Sequence, residues 1–146
     1  MKNIAPEQVI LHQNFVRFGS NAKEWMRKCV LLLPEIAKYR IWEAKGFGSL
    51  YEYAGKLAGM GRNTVDDALR ILHHIKNKPA LQKVVEQKGI NAVRPVASIA
   101  TPETQEFWAE KASVMSRHTL ETYVKELSRV EGIFRTGTEN TLENPH

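Results

Sequence analysis

From one end of the chain to the other, apolar side chains return at steps of three and four residues. No window of alternating β-branched residues long enough for a strand interrupts them. That spacing places one apolar stripe on each helix and none on a pleated surface, so the chain is expected to be all-α. With 146 residues, 42% of them apolar and 25% charged, it is long enough to bury a core of its own. The expectation is one compact multi-helix domain over residues 1–135, followed by a flexible tail over 136–146, where TGTENTLENPH loses the periodicity.

Helix punctuation divides the domain. Pro6 suits a first turn, and a helix is expected to run to Phe18 and stop at Gly19. Ser20 or Asn21 then caps a second, carrying Trp25, Cys29, Leu32, Leu33, Ile36, Tyr39, Ile41 and Trp42 to about Lys45, with a kink or split at Pro34. Gly46 and Gly48 close it. Ser49 with Glu52 reads as a capping box opening a short helix from Leu50 to about Ala58, and Gly59 begins a tight turn. A helix beginning near Arg62 comes next, then one from Pro79 to Gly89 and a short one from Asn91 through Ile99. Thr101 before Pro102 and Ser116 mark further starts, and Gly132 a stop.

Several classes of protein are set aside. The longest strictly apolar run, Cys29 to Leu33, is far short of the roughly 20 residues of a membrane helix, and no charged-then-apolar leader opens the chain. A cytoplasmic, nucleoid-associated protein with no membrane partner is expected. The single cysteine, Cys29, cannot close an internal disulfide or supply a thiolate cage, and reads as core. His73 and His74 are adjacent, so their side chains diverge by about 100° and cannot grip one metal as an i, i+4 pair would. No phosphate loop, nucleophile elbow or zinc-protease helix occurs. No metal, no cofactor and no catalysis are expected. The tryptophans and tyrosines, Trp25, Trp42, Trp108, Tyr39, Tyr51, Tyr53 and Tyr123, stand at helical spacing beside aliphatics and read as core rather than as a base-stacking platform.

The formal charge of +5 is unevenly spread. Residues 1–45 carry eight basic and four acidic side chains, residues 46–100 again eight and four, and residues 101–146 five and eight. The excess therefore lies in the first hundred residues, which are expected to build any phosphate-facing surface.

Within that basic part, SLYEYAGKLAGMGRNTVDDALRILHHI, residues 49–75, has the layout of a helix-turn-helix. On its second helix Val65, Ala68, Leu69, Leu72 and Ile75 share one face, while Arg62, Asn63, Asp66, Arg70, His73 and His74 share the other. Arg62 and Asn63 in the first turn, with Thr64, stand where a major groove is read: Arg matches guanine O6 and N7, Asn matches adenine N6 and N7. Arg70 lies two turns deeper, and His74 closes the same face. Asp66 and Asp67 oppose phosphates but complement a helix start, with Asp66 placed to accept from cytosine N4. Phosphate contacts are expected from Lys45, Lys56, Lys76 and Lys78. Any antiparallel helical pair would give the same pattern without DNA, and that alternative stays open here.

An internal echo lies 55 residues further on. YAGKLAGMGRNTVDDALRIL, residues 53–72, aligns without gaps with WAEKASVMSRHTLETYVKEL, residues 108–127, and six of twenty positions are identical. A second helix-turn-helix-like unit is expected over 102–131. Its acidic neighbourhood favours packing over phosphate contact, leaving Arg117, His118 and Lys125 as second-rank candidates.

The order of segments GRNTVDDALRIL, KPALQKVVEQKG, INAVRPVASIATPETQ and SRHTLETYVKEL resembles the central DNA-binding domain of the ParB and KorB partition and repressor proteins. The resemblance implies a sequence-specific binder of double-stranded DNA, with Arg62, Asn63 and Arg70 in the recognition role. The nucleotide-binding region of ParB proteins has no counterpart here, so nucleotide-dependent clamping is not implied. Where that family usually has HARAL the chain reads VRPVASI, leaving Arg94 as the backbone contact. Residues 38–60, KYRIWEAKGFGSLYEYAGKLAGM, within a likeness covering most of residues 25–130, also resemble the amino-terminal region of some bacterial proteins that end in an HNH nuclease. That likeness implies a DNA-targeting module without the nuclease. The competing class is a protein-interaction module whose first helix, with Val9, Ile10 and Val16, docks a partner or a second copy in a homodimer.

Overall fold

A computed structural model describes residues 3–142, with side chains described through Glu131. Among the described residues the secondary structure is entirely helical: α1 (Pro6–Lys38), α2 (Ile41–Ala44), α3 (Leu50–Ala58), α4 (Arg62–His74), α5 (Pro79–Lys88), a 3-10 turn at Ile90–Ala92, α6 (Gln105–Val114) and α7 (Arg117–Leu142). None of these helices is long and apolar enough to cross a membrane. They form two compact units, Met1–His73 and His74–His146.

In the first unit α1 corrects the expected break. Gly19 keeps helical backbone rather than the left-handed turn that ends helices, so α1 passes through it and through Pro34 as one helix. A mid-helix glycine costs about 1 kcal/mol against alanine, too little to force a stop. The break falls instead after Tyr39, where Arg40 takes φ 50° and ψ 45°. Its guanidinium holds Glu43 at 3.0 and 3.2 Å across that turn. This pair lifts the Arg40 pKa and lowers that of Glu43, through the hydrogen bond first and the charge second. Only the last third of α1 is seated, through Val30 and Leu33, and α1, α2 and α3 pack on one another. The rest of this core is Ala54, Met60, Val65, Ala68, Ile71 and Leu72.

The second unit is built on Ile75, Leu81, Val84, Val85, Val93, Val96, Ala97, Ala100, Ala112 and Leu120. α6 packs against both α5 and α7. The short helix expected from Asn91 through Ile99 is a 3-10 turn followed by further turns. Pro95 explains this, because it supplies no N–H and biases Arg94 away from helical backbone. α6 starts three residues later than Thr101–Pro102 suggests. The two threonines close a turn on each other, Thr101 N–H donating to Thr104 Oγ1 (2.8 Å) and Thr104 N–H to Thr101 Oγ1 (3.2 Å). Lys88 donates from Nζ to the carbonyls of Ala112 (3.0 Å) and Ser113 (3.1 Å), a cation on the unsatisfied end of α6. α7 continues through the expected stop at Gly132 to Leu142; residues 143–146 of the expected tail lie outside the described residues.

The expectation of an aromatic core is corrected. The fully buried side chains are aliphatic; Trp25 and Tyr39 are exposed, and Trp42, Tyr51, Tyr53, Trp108 and Tyr123 are half-buried. Units this small fill their centres with branched aliphatics and alanine, and the rings are left at the margins. There Phe47 meets Tyr53 edge-on (5.3 Å between centroids) and Trp108 meets Tyr123 (6.1 Å).

Candidate nucleic-acid interface

α3 is capped by Ser49, whose Oγ accepts from the Glu52 N–H at 3.1 Å. Glu52 reaches back one residue beyond a standard capping box, Oε1 accepting from the Gly48 N–H at 2.8 Å. The helix ends on Gly59 at φ 68°, a left-handed conformation that a Cβ would strain although open space surrounds it. Met60 N–H then bonds back to the Ala54 carbonyl (3.2 Å) with both side chains buried, and α4 starts at Arg62. Three residues, Gly59, Met60 and Gly61, therefore join the two helices.

α4 is seated by Val65, Ala68, Ile71 and Leu72. Ile71 is 1% exposed, while Leu69, which the apolar stripe placed on the packed face, is only half-buried. Arg62, Asn63, Thr64, Asp66 and Arg70 are all exposed; at 100° per residue Arg62, Asn63, Asp66 and Arg70 share the side of α4 away from the core, whereas Thr64 falls on the packed side and is open only because it lies at the helix start. Three of them, Arg62, Asp66 and Arg70, have local partners. Tyr51 donates its hydroxyl to Asp66 Oδ1 at 2.5 Å, and the Arg62 guanidinium lies 4.1 Å from the centre of the same ring. The Asp66 bond raises the Tyr51 pKa, with partial desolvation and the carboxylate charge adding to it and Arg62 opposing. Arg70 is held by Asp67 at 2.8 Å, and Lys56 lies 3.9 Å from Glu52. Lys45 is exposed just before the α3 cap. Tyr51 is thus the residue sequence reading missed; its spacing of 15 from Asp66 crosses a turn and leaves no periodic signal.

The other candidates belong to the second unit. Lys76 is exposed and His74 half-buried. Lys78 overturns the phosphate role expected of it: it is 7% exposed and its Nζ donates to the Ala97 carbonyl at 3.2 Å inside that unit. Arg94 is half-buried, its guanidinium bonded to Asn91 Oδ1 at 2.8 Å. Arg117 and His118 are exposed at the start of α7, with Arg117 3.8 Å from Glu121.

The 55-residue echo recurs in the element boundaries. α3 begins at Leu50 and α6 at Gln105; α4 begins at Arg62 and α7 at Arg117. Val65 and Leu120, equivalent under that shift, are both fully buried, as Ala54 and Ala109 nearly are. Ser116 takes over the role of the turn glycine as a cap, its Oγ accepting from the Thr119 N–H at 3.1 Å. No family model, no curated protein and no solved structure matches the chain.

Proposed function

We propose that the chain is a sequence-specific binder of double-stranded DNA that lays α4 in a major groove. The observation that carries this is the exposed first turn of α4, where Arg62 and Asn63 stand on the side of the helix away from a locked core, with Thr64 exposed at the same helix start. A groove-reading helix needs forked donors at its start and a rigid back, because base discrimination is lost when the donors are free to swing. Arg62 is steadied by the Tyr51 ring, whose centre lies 4.1 Å from its guanidinium carbon, and its forked donors match guanine bidentately. Lys45 and Lys56 flank the same helix pair and supply sequence-independent phosphate attraction. The likeness of the segment order to ParB and KorB domains supports the same reading, and in it the chain acts as a targeting or repressor module without catalysis.

Selection of bound sequences from a random duplex pool gives the site, and two substitutions then test the roles. Arg62→Ala is expected to cost roughly 1–3 kcal/mol on the selected site and to relax preference at one position. Lys56→Ala weakens all sequences alike and reduces the salt slope by about 1. If the two variants lose equal affinity on random and selected DNA, α4 does not read sequence; if the chain shifts no DNA at low salt, the proposal fails outright. The second reading, a protein-interaction module, is favoured by one specific observation, the bare apolar side of α1.

A further inference from the structure

The first two thirds of α1 carry large apolar side chains that the first unit does not cover. Leu11 is 68% exposed, Phe15 79%, Phe18 59% and Trp25 62%, whereas burial begins only at Val30. These residues are not scattered. Leu11, Phe15, Phe18, Ala22, Trp25 and Cys29 succeed one another at steps of four, three, four, three and four, the 3.5-residue mean repeat of a coiled-coil seam. In the single chain, cations lie over two of the bare rings: Lys28 Nζ is 4.4 Å from the Trp25 centroid and the Arg17 guanidinium 5.1 Å from that of Phe18.

We infer that α1 pairs with α1 of a second copy as an antiparallel two-stranded coiled coil, in the alignment that sets Phe15 against Phe18 of the other chain. Shape and charge both select this arrangement. In it Leu11 falls opposite Ala22, large against small, and Trp25 opposite Gln8, so no two bulky side chains other than the phenylalanines share a layer. The flank on one side of the seam reads Glu7, Asn14, Asn21 and Lys28, again seven residues apart. The same alignment brings Glu7 to Lys28 of the second copy and Asn14 to its Asn21. Sliding the helices one step further along the seam would set Glu7 against Glu35. A parallel pair would stack Trp25 on Trp25 and Phe15 on Phe15 with no ion pair.

The overlap from Gln8 to Trp25 spans about 26 Å and is the part of α1 left bare by its own chain. At the observed exposures, the three rings and Leu11 of each copy offer at most about 1,200 Å² for removal from water in total, the lower end of a specific interface. Pairing through α1 is independent of DNA binding through α4, and each can fail without the other.

Sedimentation velocity on the whole chain tests it. The expected mass is that of two chains, with dissociation on dilution. Phe15→Glu combined with Phe18→Glu gives a single chain, and amide exchange at Val65 and Ala68 shows whether the fold is intact, since neither phenylalanine is packed. Glu7→Lys or Lys28→Glu weakens the dimer about tenfold, because each appears twice across the two-fold axis, and combining them in one chain restores it. That rescue requires the antiparallel alignment. A single-chain mass at the highest attainable concentration overturns the inference. So does a dimer indifferent to the glutamate pair, a double charge reversal that rescues nothing, or a monomer that binds vesicles of phosphatidylcholine and phosphatidylglycerol through α1.

Discussion

Replacing Ile71 with alanine tests whether α4 is held in place as its burial implies. Ile71 is 1% exposed, between Ala68 at 0% and Leu72 at 7%. The substitution removes three buried carbons, worth about 0.8 kcal/mol each in transfer. The cavity left behind adds to that, giving about 3–4 kcal/mol within the usual range for isoleucine to alanine. Leu69 supplies the control on the same helix, a residue that the sequence pattern turns inward and the packing leaves half in water. It keeps part of its water contact in the folded state, so Leu69→Ala costs about 1 kcal/mol or less. For a unit of this size each kcal/mol moves the melting temperature by about 4–8 °C, so the two variants are expected to separate by about eight degrees or more. Because the chain has two compact units, a single unfolding curve is the wrong assay. Amide exchange at Val65 and Ala68 reports the first unit, and that at Leu81 and Val85 the second. Ile71→Ala lowers protection at the first pair by its full cost. Equal losses for Leu69→Ala and Ile71→Ala would show that α4 is rotated from the orientation described, and with it the wet face that carries Arg62.

Two further outcomes concern Tyr51. Tyr51→Phe keeps the ring under Arg62 and is expected to leave DNA affinity within about twofold, whereas Tyr51→Ala releases the guanidinium and weakens specific binding by about three- to tenfold; equal effects would show that the hydroxyl, not the ring, positions Arg62. The Tyr51 phenol titrates above its ordinary value because protonation preserves the bond to Asp66. Its contribution is thus fully present below the ordinary phenol range and fades as pH rises through the raised value, which NMR of the ring would track. Asp66→Asn should return the titration toward normal.

How far the chain could be read in advance depended on whether the signal was local. Ser49, Gly59 and Pro79 each act on the backbone within a turn, and α3, the turn and α5 appear where those residues put them. Gly19 and Pro34 carry the same local signals, yet α1 runs through both, because their penalties are smaller than what a continuous helix with a seated end gains. The Arg40 break could not be seen, since its left-handed backbone is stabilised by a side-chain pair with Glu43 rather than by a glycine. At the candidate interface, facing was legible for Arg62, Asn63 and Arg70. Which cation had been taken up by its own chain was not, because Lys78 meets a carbonyl 19 residues away.

The two echoed helix pairs differ in how each holds the arginine that opens its second helix. In both, an arginine opens the second helix, Arg62 and Arg117, and a carboxylate stands four residues later, Asp66 and Glu121. In the second copy the two are 3.8 Å apart, so a groove contact from Arg117 would have to break or share an ion pair with its own helix. In the first, Tyr51 touches both: its hydroxyl engages Asp66 and its ring lies 4.1 Å from the Arg62 guanidinium. The residue equivalent to Tyr51 under the 55-residue shift is Glu106, which offers neither a ring nor a donor. One aromatic side chain therefore distinguishes the opening arginine that rests on a ring from the one that is paired with its own helix.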